Sequence, residues 1–304
     1  MQRKRVLKMK QALKTSKEII LLAFLILILS GCSTPDSSKD TYYVGRDGVS
    51  VKFAQGSPPD VVYDGKPFSI IIDAQNLGAI TTSPKVFFVG FEKQILPIQE
   101  SFDVGTLNGK SNRFPQGERK MLKVGSFTPK LPEGTDLLEN IPIKMLVCYS
   151  YETKASQKVC IDPDPTLSSS DVCKPQTISL SSGQGAPVGV TSIKTESSIG
   201  AAYFEITIKN LGGGTVIKND KVGSCTQVTF MDTNEIPVSV SLVDKPLSCD
   251  PQTVILDSSG SASVYCRLEG LEETGPAYYS QLNIKIGPYG YKKDADTKTL
   301  TIRK

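Results

Sequence analysis

The chain has 304 residues, with 35 lysines and arginines against 31 aspartates and glutamates, and contains neither histidine nor tryptophan. The missing histidine excludes serine or cysteine nucleophiles activated by an imidazole, histidine general bases and His-ligated zinc. Residues 1–31 hold seven of the basic and one of the acidic side chains, which leaves 28 basic against 30 acidic over the other 273 residues. That remainder has no surplus from which to build the basic face a nucleic-acid partner requires, and it is long enough for two ordinary domains.

The N-terminus reads as an export signal. Arg3, Lys4, Arg5, Lys8, Lys10, Lys14 and Lys17 precede the first acid, Glu18, and Ile19 to Leu29 form an unbroken apolar run of 11 residues. A spanning helix needs roughly 20 apolar residues, so the run suits the apolar core of a signal peptide. It ends in Leu29-Ser30-Gly31-Cys32, which resembles the lipobox of bacterial-type lipoproteins. The resemblance implies that the Cys32 thiol is alkylated with a diacylglyceryl group and the chain is cut just before it. Residues 1–31 are then the signal peptide and 32–41 a lipidated tether, polar and without a large apolar side chain. The alternative is an uncleaved membrane helix with a chance cysteine. Either reading places the remainder at the extracytoplasmic face of the cell membrane, on the cell surface.

Beyond the tether the pattern is all-β. Phe68 to Asn76, Lys85 to Val89, Phe204 to Asn210, Val238 to Leu242 and Leu282 to Ile286 are β-branched or alternating runs, punctuated by Gly, Pro, Asn-Gly and Asp-Gly. No stretch sustains an apolar stripe at helical spacing. Residues 162–171, with two prolines and four serines or threonines, read as a linker between segments 42–161 and 172–304.

The two segments share features. Asn76-Leu77-Gly78-Ala79 follows a strand in the first, and Asn210-Leu211-Gly212-Gly213 follows one in the second. Each closes on a Tyr-x-Tyr run expected to form a hairpin: Ile143 to Ile161 through Tyr149 and Tyr151, and Ile284 to Ile302 through Tyr289 and Tyr291. Two tandem copies of one β-sandwich account for this economically.

Six cysteines follow Cys32, an even number that in an exported chain favours disulfides over zinc, for which no Cys-x-x-Cys knuckle exists. The hairpin reading sets Cys148 opposite Cys160 and Cys249 opposite Cys266, the latter around a turn at Asp257-Ser258-Ser259-Gly260. Cys173 and Cys225 remain, and pair by elimination.

Strands ending in Asn-Leu-Gly, with a closing hairpin and Tyr63-Asp64-Gly65-Lys66-Pro67-Phe68 ahead of the first, are similar to immunoglobulin-like domains of the cell-adhesion-related (CARDB-like) kind. With the lipobox, the chain resembles tandem Ig-like surface lipoproteins predicted in small-genome archaea. Such domains act chiefly as spacers or adhesive modules, and the resemblance carries over no catalytic residue.

Other motifs are weak. Gly105 to Ser111 is one residue short of a phosphate loop, and its Asn108-Gly109 reads better as a hairpin turn. Asp294 and Asp296 lack the other calcium-loop ligands and read as a solvated turn. Tyr149, Tyr151, Tyr289 and Tyr291 fall in same-face pairs, for which core packing is the expected use and ligand stacking the alternative. The sequence therefore points to a non-catalytic, lipid-anchored surface protein with no cofactor or metal. Its expected partners are the membrane, through the lipid, and an envelope or surface protein, in adhesion, scaffolding or envelope assembly. A solute-binding lipoprotein serving a transporter and a carboxylate-dependent hydrolase are the alternatives.

Overall fold

Alternation of side chains decides the architecture. In Phe68–Asn76 every second residue is buried, from Phe68 through Ile70, Ile72 and Ala74 to Asn76, while the residues between stay partly exposed. The structure is a computed structural model that describes residues 42–166 and 172–304. The signal segment, Cys32, the tether up to Thr41 and residues 167–171 of the expected linker lie outside the described residues.

Before the linker come β1 (Val49–Phe53), β2 (Val61–Tyr63), β3 (Phe68–Asn76), β4 (Lys85–Val89), β5 (Ser101–Asp103), β6 (Arg119–Phe127) and β7 (Leu137–Ile161). After it come β8 (Thr177–Ser179), β9 (Val188–Ser198), β10 (Ala201–Asn210), β11 (Thr215–Ile217), β12 (Glu235–Leu242), β13 (Lys245–Pro246), β14 (Ser248–Asp250), β15 (Thr253–Ile255), β16 (Ser261–Glu269) and β17 (Tyr278–Arg303). The described helical segments are short 3-10 turns at Asn219–Gln227 and Phe230–Asp232. None is long and apolar enough to cross a membrane. The fold is all-β and sandwich-like.

One strand pair organises the molecule. β7 and β17 run antiparallel along their whole length, from Leu137 opposite Arg303 to Ile161 opposite Tyr278, with register shifts near Gly287, Ala295 and Thr301. On the far side of β17 sit β12, β11 and, in parallel, β2. On the far side of β7, β4 pairs with Lys144 to Cys148 only. Two smaller sheets, β1-β3-β6 and β14-β16-β10-β9-β8, complete the fold. The first meets the long pair where Phe53 N–H donates to Asp296 Oδ2 at 3.0 Å, the second where Thr153 Oγ1 donates to Val188 O at 2.6 Å. β17, from the end of the chain, thus closes against strands from its beginning.

The expected Tyr-x-Tyr hairpins do not form. Lys154-Ala155-Ser156 offers no Gly, Pro, Asn or Asp to turn the chain, and Tyr289-Gly290-Tyr291 continues straight into the ladder, so each run is a single long strand. The disulfide register changes with it. Twelve residues of extended chain separate Cys148 from Cys160 by roughly 40 Å, beyond any disulfide span. Cys148 is bonded instead to Cys225, 77 residues on in the 3-10 segment, and Cys160 to Cys173. The third bond, Cys249–Cys266, joins directly opposed residues of β14 and β16. Three disulfides point to folding in an oxidising environment outside the cytoplasm.

Candidate functional site

The four tyrosines expected to pack or stack meet at the middle of the long pair. Tyr149 lies opposite Tyr291 and Tyr151 opposite Tyr289, with the Tyr149 ring 5.7 Å from that of Tyr291 and edge-on to that of Tyr151 at 5.8 Å. All four are buried, so none offers a ring face to a ligand.

Their hydroxyls tie down the Asn-Leu-Gly segments. Tyr151 Oη donates to Gly185 O at 3.0 Å and accepts from Ile80 N–H at 3.1 Å. Tyr291 Oη donates to Asn210 Oδ1 and accepts from Gly214 N–H, both at 2.8 Å. Asn76 and Asn210 each bond their amide to the carbonyl four residues on, Ile80 and Gly214, and accept from the N–H two residues on, Gly78 and Gly212. Tyr289 bonds Thr153 Oγ1 at 3.1 Å. Tyr149 Oη lies close to the Val49 backbone but closes no hydrogen bond. Burial raises the pKa of all four phenols, that of Tyr291 to about 12.

The other sequence candidates are structural. Asp296 caps the edge of β1 and then its own neighbour, Thr297 N–H, within the ladder rather than in a solvated turn. Asn108-Gly109 is not a tight turn: Asn108 donates through its backbone N–H and its side chain to Glu118 Oε2, and a Cβ on Gly109 would overlap the Ala79 backbone. Those hydrogen bonds hold the Glu118 carboxyl below its usual pKa. The other carboxyls with a displaced pKa, Glu152, Asp232 and Asp257, are lowered too, by Lys154, Thr229 and Ser259 first, whereas a general acid needs a raised one. Among the described residues no three His, Cys, Asp or Glu side chains are grouped to hold a metal.

A concavity lies along β7 beyond the reach of β4. Its volume is about 730 Å³, its floor is Ala155 and Ile284, and Leu180, Ser182 and Gln184 face them across the gap. Tyr43 and Val44 close one end. Lys154 and Lys285 stand at the rim, both paired with Glu152, at 3.0 and 3.1 Å.

Backbone direction along this edge follows from two bonds. Thr82 Oγ1 donates to Ser150 O from the β4 side, and Val243 N–H donates to Gln281 O from the β12 side. With period two, odd-numbered residues of β7 past Ser150 bond to β17, and Glu152, Lys154, Ser156 and Lys158 turn their N–H and C=O groups outward. None of these groups meets a backbone partner among the described residues.

A second depression, about 490 Å³, lies on the outer face of the five-stranded sheet, where Tyr203 and Tyr265 are exposed among Lys194, Glu196, Glu205 and Arg267. Tyr265 Oη bonds Glu205 at 3.2 Å. These exposed rings lie outside the Tyr-x-Tyr pairs, which pack in the core as expected. Their one sequence signal is alternation: both fall on the outward register of their strands.

No family model and no curated protein matches the chain. Among solved structures it is similar to red sea bream transglutaminase at 10% identity and a TM-score of 0.19, over 86% of this chain and 32% of that one. The chain thus spans less than half that protein's length, and so slight a likeness carries no argument.

Proposed function

We propose that the chain is a non-catalytic, lipid-anchored surface protein. In this reading residues 1–31 are its signal peptide, Cys32 its lipidated N-terminus and 32–41 its tether. Residues 42–161 and 172–304 are two Ig-like sandwiches of the CARDB-like kind, joined by 162–171 and serving adhesion, scaffolding or envelope assembly. The observation that carries the proposal is the matched bonding of the Asn-Leu-Gly segments, each held by the second tyrosine of its own half. Shared local chemistry of that kind supports a duplicated unit. The disulfide Cys148–Cys225 then fastens one copy to the other, as suits a rigid spacer outside the cell.

Fractionation tests the proposal. The protein is expected in the membrane fraction, resistant to salt and carbonate washes and released by detergent, with a protease-resistant fragment covering residues 42–304. Recovery in the soluble fraction would contradict it. The cavity beside Ala155 favours a second reading, solute capture for a transporter. Native mass spectrometry of the purified protein would show a stoichiometric small molecule in that case.

A further inference from the structure

We infer that the free edge of β7 from Glu152 to Lys158 receives an extended strand from a second protein, which pairs with the outward backbone and lowers an apolar side chain into the cavity over Ala155. Two features meet there. Four alternate residues present donors and acceptors that meet no backbone partner among the described residues, in register for strand addition, and the gap between the two sheets beside them is apolar at its floor. An added strand turns every second side chain towards that floor. Ala155 is what leaves the room: neighbouring inward positions of β7 carry Thr153 and Gln157, and a larger side chain at 155 would fill the gap.

The rim selects the occupant. Two copies of this chain meeting edge to edge about Ser156 would pair antiparallel and set Lys154 of each copy opposite Lys158 of the other, a like-charge contact; about Ala155 they would set Glu152 opposite Lys158 but turn only Thr153, Ala155 and Gln157 towards the cavity, with no large apolar side chain to fill it. The chain's own tether, residues 33–41, has no large apolar side chain for the cavity. Lys154, Lys158 and Lys285 outnumber Glu152, which is already engaged by two of them, and the Lys158 ammonium sits 3.9 Å from the centre of the Tyr279 ring. The fitting partner is therefore a strand of alternating apolar and small polar residues flanked by carboxylates.

The test is hydrogen exchange on the full-length, disulfide-intact protein. The probe is a peptide of about seven residues, alternating valine and threonine between terminal aspartates. It is expected to slow exchange at the amides of Lys154, Ser156 and Lys158 by about tenfold or more, the scale of ordinary local protection. The same peptide N-methylated on its pairing edge is expected to leave them unchanged. Ser156→Pro removes an outward N–H that the fold does not use, so binding is expected to be lost with the protein still folded. Should that variant misfold, Lys158→Glu supplies the second reading: aspartate-flanked peptide weakens and a lysine-flanked one strengthens. Unchanged amides at saturating peptide, binding that protects another region, self-association through this edge, or a small solute filling the cavity with the edge amides still free would each overturn the inference.

Discussion

Tyr291 donates a 2.8 Å hydrogen bond to Asn210 Oδ1 across 81 residues of chain, and through the same oxygen it accepts from Gly214 N–H. Tyr151 does the corresponding service for Ile80 N–H in the first half. Each phenol, itself buried, satisfies a backbone N–H in a segment that leaves the ladder. Tyr291→Phe and Tyr151→Phe are expected to destabilise the protein by about 1–3 kcal/mol each, the cost of an abandoned buried polar group. Tyr149→Phe removes a hydroxyl without a partner and is expected to be neutral or slightly stabilising. Urea unfolding of the three variants separates the cases.

The glycines of the Asn-Leu-Gly segments are fixed by the same contacts. A Cβ at Gly78 would overlap Tyr151 Oη, and one at Gly212 would stand 2.6 Å from Tyr291 Oη. Gly78→Ala and Gly212→Ala are expected to cost about 1–3 kcal/mol through overpacking. Pairing either with the matching Tyr→Phe removes one of the atoms in the way, while Gly185 O stays 2.6 Å from a Cβ at Gly78 and Pro187 Cβ 2.5 Å from one at Gly212. A double-mutant cycle should therefore show a total less than the sum of the single effects.

Alkaline pH tests the burial of the four phenols. Unfolded, they release their protons near pH 10; folded, Tyr291 holds its own to about 12 and burial raises the others as well. Above pH 10 the unfolded state therefore binds fewer protons than the folded one, and stability falls as pH rises. The contribution is intact below pH 10 and lost as pH climbs through the folded values. Tyr291 alone accounts for roughly 2–3 kcal/mol between pH 10 and 12. Tyr291→Phe is expected to flatten that part of a pH series of unfolding midpoints, and an unchanged slope would refute the assignment.

Non-reducing peptide mapping should recover Cys148–Cys225, Cys160–Cys173 and Cys249–Cys266. Cys148–Cys225 closes the longest loop, 77 residues, and on chain entropy its loss costs about 4 kcal/mol. Cys148→Ala/Cys225→Ala should therefore unfold well below the wild type, and the Cys160 pair, closing 13 residues, should cost less.

Alternation made the β class legible, and Phe68–Asn76 repeats in burial the pattern its residues spell out. The Asn-Leu-Gly repeat was legible as a repeat, but its tyrosine partners were not, because the contact spans 71 residues in one half and 81 in the other. The hairpin expectation failed at Lys154-Ala155-Ser156, where symmetry about a midpoint outweighed the absence of Gly, Pro, Asn or Asp. Continuous alternation from Ile143 to Ile161 was the better signal, and it also contained the free edge: polar Glu152, Lys154, Ser156 and Lys158 face away from Thr153 and Ala155. Which strand lies beside that edge depends on β4 beginning only at Lys85, opposite Cys148, a tertiary fact with no local signature.

The central claim is that this all-β body is carried on the membrane by Cys32. Metabolic labelling with a radiolabelled fatty acid or isoprenoid precursor, in cells expressing the wild type and Cys32→Ala, addresses it directly. Label on the wild-type chain and none on the variant is the expected result. Equal labelling of both, or label on neither while the chain still fractionates with the membrane, would contradict it.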